Sequence, residues 1–408
     1  MADDLVDTVD LNPDCPETWI DGGFERLYEM SWRDCEEVQT KALVKRFEQA
    51  FAEYIGCTHA IALNSCTAGL HLALEALGIE RGDAVVVPTM TFAATAEVVR
   101  YLDANPVFID CREEDFNMDT AQLPEVIARA QATAPVRAVI PVHYGGQIGE
   151  VNSLKDTAAE HGLKIIEDAA HCCPAKFRDS DDADWQNVGS IGDAAAFSFY
   201  ANKTITTGEG GMAITEDPAL EERMRIMSLH GMSRDAWKRF SKEGSYYYEI
   251  VAPGYKYNLT DIAAAIGVHQ LRRADELHCE RTRIAAFYSE QLSDIDEVIL
   301  PRLIPNRLHS WHLYVIRLKV DRLTIDRKAF VEALRELGIT TSVHWMPLHM
   351  HPYYRDKYGY RPEDFPVAAR LYDEVLTLPL FPGMTDEQLD HVVSSVRSIV
   401  STHLRSGV

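Results

Sequence analysis

The stretch "AIALNSCTAGLHLALEALG", residues 60–78, changes its periodicity halfway along. Ala60 to Leu63 is an unbroken apolar run closed by Asn64. From Leu70 the apolar positions are Leu70, Ala73, Leu74 and Leu77, the i, i+3, i+4, i+7 spacing of an amphipathic helix. A short strand therefore runs into a helix through the small residues Ser65, Cys66, Thr67 and Gly69. A strand that is apolar throughout, rather than alternating, is buried on both faces, as strands of a parallel sheet are. The reading predicts an α/β fold.

The same alternation extends outward from this stretch. Upstream, "VQTKALVKRFEQAFAEYIG" places Val44, Phe47, Phe51 and Tyr54 on helical spacing. Downstream come the strand "AVVVPTMTF", the helix "AATAEVVRYLD", the strand "PVFID", then "VRAVIPVHYGG", a helix around "NSLKDTAAEHG" and the strand "LKIIEDAAH". "DAAAFSFY" and "GGMAIT" follow as strands with no helix between them. A largely parallel sheet covered on both faces is the expectation for residues 40–215. One long helical pattern from about Thr260 to Leu292 leads to a smaller α/β unit. That unit reads as the strand "WHLYVIRL", the helix "RKAFVEALRELG", a short strand, an irregular Pro/His/Tyr segment and a final helix. The expected division is an N-terminal segment 1–39, a large domain 40–270 and a small domain 271–408.

The chain has 408 residues with a formal net charge of −23, which argues against nucleic acid and anionic membrane surfaces as partners. No apolar run approaches the roughly 20 residues of a membrane helix. The acidic start "MADDLVDTVDLNPD" lacks the basic and apolar regions of a signal peptide, so the expected location is cytoplasmic. Cys15, Cys35, Cys57, Cys66, Cys111 and Cys279 stand alone and Cys172–Cys173 are adjacent. That spacing does not suit zinc, and reduced structural thiols are expected.

In open parallel sheets ligands sit beyond the carboxyl ends of strands. After "AIALN", Ser65 and Thr67 offer hydroxyls at a helix start, either a phosphate seat or a plain N-cap. After "KII" come Glu167 and Asp168, with His171 three residues on: a carboxylate awaiting a cation, or a solvated loop. Phe92 ends another strand, as a plate for a flat ligand or as core packing. Among the chain's 12 lysines, only Lys203 follows an aromatic buried strand and precedes a glycine-rich turn, in "FSFYANKTITTGEGGMAIT" (197–215). Desolvation lowers a lysine's pKa and makes its amine a usable nucleophile. A lysine amine, a phosphate cradle, a carboxylate and an aromatic plate together fit pyridoxal 5′-phosphate: the lysine holds it as a Schiff base and the carboxylate keeps the pyridine nitrogen protonated. His344, His349 and His351 in "VHWMPLHMHPYY" lack a metal-ligand spacing and are expected as cleft wall or dimer contact.

The sequence resembles the DegT/StrS sugar aminotransferases of the aspartate-aminotransferase fold type. The likeness rests on "FEQAFAEYIG", "ALNSCTAGLHLALEALGI", "VVPTMTFAATAEVV", "PVHYGG", "IIEDAAH", "GDAAAFSFYANKTITTGEGGMAIT", "APGYKYNLTDIAAAIGVHQL", "SWHLYVIRL" and "LPLFP", over roughly residues 40–400. It implies a type I PLP fold, a large domain with a mainly parallel sheet plus a small C-terminal α/β domain. It implies that Lys203 is the Schiff-base lysine and proton carrier, Asp168 the partner of the pyridine nitrogen, His171 a neighbour of the ring hydroxyl and Phe92 the stacking ring. Cys66, Thr67 and Ser198, with Ser65, would surround the phosphate.

The resemblance further implies a homodimer with shared active sites. There Lys256 or Asn258 of "GYKYN", where many members read Gly-Tyr-Asn-Tyr-Arg, would reach the partner's phosphate. It implies L-glutamate as amino donor and a nucleotide-linked keto-sugar, most often a 4-keto sugar, as acceptor, in a ping-pong reaction of amino-sugar or surface polysaccharide biosynthesis. "APGYKYNL" and "HGMSRDAW" look closest to the UDP-4-amino-4-deoxy-L-arabinose aminotransferase branch. The alternatives on the same fold are a PLP-dependent sugar dehydrase, whose members carry histidine where Lys203 stands, and a non-catalytic regulatory or binding protein. The acidic loop 178–189 and the first 35 residues depart from the family pattern.

Overall fold

The computed structural model describes residues 42–233 and 248–405. The expectations placed on residues 1–39, on Cys15 and Cys35, and on the second half of "HGMSRDAW" lie outside them.

The chain alternates as expected through α1 (Ala42–Ile55), β1 (His59–Leu63), α2 (Cys66–Ala76), β2 (Ala84–Pro88), α3 (Ala93–Tyr101) and β3 (Asn105–Ile109). It continues with α4 (Leu123–Gln131), β4 (Val136–Val139), α5 (Val151–His161) and β5 (Lys164–Asp168). After the short strands β6 (Lys176–Phe177) and β7 (Gln186–Asn187) come β8 (Ala194–Ser198), β9 (Gly211–Thr215) and α6 (Pro218–Met227). Seven of these strands form one sheet in the order β1-β9-β8-β5-β4-β2-β3. β9 runs antiparallel to both its neighbours, pairing Leu63 and Ser198 with Gly211, and the remaining pairs are parallel.

Continuous apolar strands make sense because successive side chains leave on opposite faces. Ala60, Ala62, Val86, Ile165, Phe197 and Ile214 enter one core, under α1, α4, α5 and the later helix α7 (Asp261–Arg272). Their alternates Ile61, Leu63, Val85, Val87, Ile166 and Ala213 enter the other, under α2, α3 and α6. Where Gly69 crosses β8, a Cβ would stand 3.0 Å from that of Ala196, so α2 lies unusually close to the sheet.

The expected long helix is two. α7 ends and α8 (Ala274–Gln291) begins at Arg273, whose φ −99° and ψ 1° break the helical run. α7 buries Ala264, Val268 and Leu271 in the large core, whereas Ile284, Ala285 and Tyr288 of α8 belong to a separate core. That second core is built on β10 (Val298–Ile299), β12 (Tyr314–Leu318) and β13 (Val375–Leu378), an antiparallel sheet in which β12 is central. We propose the α7–α8 junction as the domain boundary.

β11 (Arg307–Leu308) pairs instead with β6, so that β11, β6 and β7 flank the acidic loop, where the Arg178 guanidinium lies 4.9 Å over the Trp185 ring. The expected strand "WHLYVIRL" is shorter than its apolar run. Trp311 has φ 51°, and the backbone around it hydrogen-bonds to Gly145 and Gly146 instead of to a strand. α9 (Arg327–Glu336), α10 (Pro352–Tyr358), α11 (Pro366–Glu374) and α12 (Asp386–His403) complete the chain. No helix of the described residues is long and apolar enough to cross a membrane.

Candidate active site

The topology brings the carboxyl ends of β1, β5 and β8 and the amino end of β9 to one edge of the sheet. α2 starts there with Ser65 as N-cap, its Oγ accepting from the Ala68 N–H at 3.1 Å. The capping alternative for Ser65 is thus real, and it leaves the rest of the first turn facing the same edge. Cys66 is buried and Thr67 half-buried. Gly211 meets this turn so closely that a Cβ would lie 2.3 Å from the Ser65 carbonyl carbon and 2.4 Å from the Cys66 nitrogen. The half-buried Ser198 is paired with Gly211 in the sheet, its Oγ accepting from the Tyr200 N–H at 3.4 Å.

The two carboxylates at the end of β5 part ways, as period 2 requires. Glu167 is fully buried and accepts from the N–H groups of Gly189, Ile191 and Gly192 at 2.9, 2.8 and 3.2 Å, with His143 Nε2 at 3.1 Å. It staples a loop. Asp168 faces the other way, accepting from Thr95 Oγ1 at 2.8 Å and from the Ala170 N–H at 3.2 Å. Burial pushes its carboxyl above the usual carboxylate range, and the Thr95 bond, the Ala170 N–H and the Lys203 charge pull it back. A cation brought against it would favour the charged form further.

Lys203 follows β8 in a turn, with its ammonium end enclosed. Burial brings its pKa from 10.5 down to about 8, with the neighbouring Cys66, Asp168 and Cys172 acting against that shift. Its Nζ lies 3.4 Å from His312 Nε2. Lys203, Ser198, His171, Cys172, Thr204 and His312 line one small cleft. His171 takes the Gly145 N–H on Nδ1 at 3.1 Å, so the neutral ring carries its proton on Nε2. Burial, with the Lys203 charge, holds it well below the ordinary histidine range. Trp345 stacks on His171 at 5.2 Å between ring centres.

Phe92, the N-cap of α3, is 60% exposed, so the core-packing alternative does not hold for it. Lys256 is exposed and hydrogen-bonds Asn258 of its own segment; their backbone is tied to the end of β1 through Asn64 and Leu63, beside Ser65. The three late histidines disperse: His344 Nδ1 pairs with Thr377 Oγ1 and His349 Nδ1 with Thr89 Oγ1, both at 2.7 Å, and His351 Nε2 with the Met346 carbonyl at 3.3 Å. The described cysteines are all free thiols.

Sequence reasoning missed Thr95, His312 and Trp345. Thr95 carried a signal, a hydroxyl one turn after Thr91 at a strand end, and the two hydroxyls do bond at 2.8 Å. His312 carried none, since it is 109 residues from Lys203.

The cofactor fit is set by two features. The turn over Gly211 is a backbone cradle that any side chain there would fill, and the donors around it suit a phosphate dianion. The enclosed amine and buried carboxylate suit an aldehyde carbon and a protonated ring nitrogen. Fold and donor set together define a type I pyridoxal-phosphate protein. The chain belongs to the DegT/DnrJ/EryC1/StrS aminotransferase family, whose pattern matches residues 33–397. Its cofactor is pyridoxal 5′-phosphate.

The chain is 44% identical over 358 residues to the spore coat polysaccharide biosynthesis protein SpsC of Bacillus subtilis, covering 88% of this chain and 89% of that one. It is 45% identical over 356 residues to the uncharacterized protein MJ1066 of Methanocaldococcus jannaschii, covering 87% and 89%. Among solved structures it resembles the putative sugar aminotransferase Spr1654 from Streptococcus pneumoniae in its PMP form, with TM-score 0.80, 28% identity and coverage of 88% and 92%.

Proposed function

We propose that this chain transfers the amino group of L-glutamate to a nucleotide-linked keto-sugar, at the 4 position, in a ping-pong reaction of amino-sugar or surface polysaccharide biosynthesis. The observation that carries the reading is the enclosed Lys203 amine at the sheet edge, sharing that edge with the buried Asp168 carboxylate and the start of α2. The name of SpsC supports the polysaccharide setting. The form "APGYKYNL" looks closest to that of the UDP-4-amino-4-deoxy-L-arabinose aminotransferase branch. The reaction is proposed to run in the cytoplasm.

Bound at this edge, pyridoxal 5′-phosphate supplies an electron sink for a carbanion next to nitrogen. Ser65, Thr67, Ser198 and the first-turn N–H groups of α2, with Cys66 against them, would hold its phosphate. Asp168 would face the ring nitrogen, His171 would donate from Nε2 toward the ring hydroxyl, and Phe92 would cover a ring face. L-Glutamate gives up its amino group in the first half-reaction and departs as 2-oxoglutarate; the sugar ketone receives it in the second. Lys203 Nζ moves the proton in both halves, which is why its proton affinity must lie near working pH. Lys203 also opposes the dehydrase alternative. The protein is proposed to act as a homodimer, Lys256 or Asn258 completing the partner's phosphate site.

Purified protein should be yellow and bleach on adding L-glutamate, and a panel of nucleotide keto-sugars should restore the colour selectively. Protein that stays colourless with added cofactor would refute the reading.

A further inference from the structure

The described residues hold a second group beside the reacting amine that no element of the large domain supplies. His312 arrives on the strap between β11 and β12, and the strap is fastened to the large domain at several points. Ser310 N–H donates to the Gly146 carbonyl at 2.9 Å, Ser310 Oγ to the His171 carbonyl at 2.7 Å, and Leu313 N–H to the Gly145 carbonyl at 3.1 Å. Gly146 must lack a side chain, because a Cβ there would lie 2.9 Å from that of Ser310. From behind, the buried Arg281 of α8 donates through Nη1 to the carbonyls of Trp311, His312 and Leu380 at 3.1, 3.4 and 3.1 Å. The strap thus has little freedom, and it delivers His312 Nε2 to 3.4 Å from Lys203 Nζ. His312 is 6% exposed and its Nδ1 has no partner.

We propose that His312 seats the Lys203 amine, its Nε2 accepting a hydrogen bond from the protonated Nζ whenever the lysine is not bonded to cofactor. The amine released in each half-reaction then waits in register instead of rotating away. This rests on the reading of Lys203 as the transferring amine.

The direction of the bond follows from the groups present. An ammonium has donors only, so a partner in contact with it must offer a lone pair. Lys203, at about 8, is chiefly ammonium at neutral pH. Burial and the neighbouring Lys203, His171, Arg281 and His344 keep His312 well below the ordinary histidine range, so its ring is neutral. The neutral ring meets the ammonium with Nε2 unprotonated, which places the ring proton on Nδ1. The other titratable groups facing Lys203 are Asp168, Cys66 and Cys172, with His171 and His344 across the cleft. Burial holds the Cys66 and Cys172 thiols well above their ordinary range, so they stay neutral at that pH. Asp168 is the carboxyl group that acts on Lys203 with or without His312.

The test uses the full chain freed of cofactor, so it reads Lys203 directly. Acylation of Lys203 by a neutral amine reagent is followed against pH by peptide mass spectrometry. His312→Leu, which removes the acceptor, should lower the midpoint by about one pH unit, a tenfold change in acid dissociation. His312→Gln, whose amide oxygen reaches toward the Nε2 position, should restore most of the shift. An unmoved midpoint in His312→Leu, or His312→Gln behaving as His312→Leu, overturns the proposal. In the unaltered protein, nitrogen-15 shifts of the His312 ring should show the Nδ1–H tautomer at pH 7, and the Nε2–H tautomer would overturn it without any variant. Failure of the transamination reading would show separately, as protein that never colours with added cofactor.

Discussion

A lysine enclosed without a full counter-charge costs stability, and Lys203 gives that cost a measurable form. Its folded pKa of about 8 lies below the unfolded value of 10.5. Between these values the unfolded chain binds more protons than the folded one, so stability rises with pH across that window, and below 8 the penalty is complete. The shift is on the order of 2 kcal/mol once partial exposure is allowed for. Cofactor-free Lys203→Met should therefore melt above the cofactor-free parent at pH 7, and the gap should close toward pH 10.5. Thermal melts across pH check this; a variant that is less stable at pH 7 contradicts it. Thr95 is the second residue with a distinct signature. Thr95→Val leaves a buried Asp168 oxygen without its donor, which costs about 1–2 kcal/mol and slows the glutamate half-reaction roughly tenfold. Stopped-flow bleaching reads the rate, and Thr95→Ser should recover it.

At the scale of elements, two glycines separate folding from cofactor binding. A Cβ on Gly211 would meet the Ser65–Cys66 backbone at 2.3 to 2.4 Å, whereas one on Gly267 in α7 would meet the Phe47 ring of α1 at 2.6 Å. Overpacking of either kind costs about 1–3 kcal/mol. Both Gly211→Ala and Gly267→Ala should lower the melting temperature, but only Gly211→Ala should weaken cofactor affinity, by about tenfold or more. Titration followed by absorbance distinguishes them. The same elements show what the sequence could convey. The strands of the sheet and α1, α2, α3 and α5 were legible because apolar runs and helical spacing are local patterns. α4 and α6 went unassigned although each opens with a proline in its first turn, and Asp217 caps α6 through the Ala219 N–H at 2.7 Å. The break at Arg273 has no proline or glycine to announce it. It exists because α7 and α8 serve different cores, which is a tertiary fact. Likewise Ser65, Asp168 and Lys203 could be found because sites follow strand ends, while His312 and Trp345 reach the cleft only through long-range packing of the C-terminal part.

For the whole molecule the open question is whether one chain makes a complete site. Among the described residues the chain's own cradle presents Ser65, Thr67, Ser198 and backbone N–H groups, but no cation. Lys256 lies exposed beside that edge, bonded to its own Asn258 rather than to any cradle residue. A phosphate dianion in a chain with formal net charge −23 gains from a fixed cation, and Lys256 of a second copy is well suited to supply it. A two-fold dimer would present both segments reciprocally. The consequence is complementation. Lys203→Met lacks the reacting amine, and a Lys256→Ala/Asn258→Ala chain would lack the groups proposed to serve its partner. Each homodimer should be nearly inactive. Unfolded together and refolded, half the dimers would be mixed, and each mixed dimer would hold one intact site: Lys203 from one chain, Lys256 and Asn258 from the other. Activity should return to about a quarter of the parental value by that count. If the segment instead serves its own chain, the mixed dimers place both defects in separate sites and no activity returns. Glutamate-dependent bleaching of the refolded mixture, against each variant refolded alone, decides between the two arrangements.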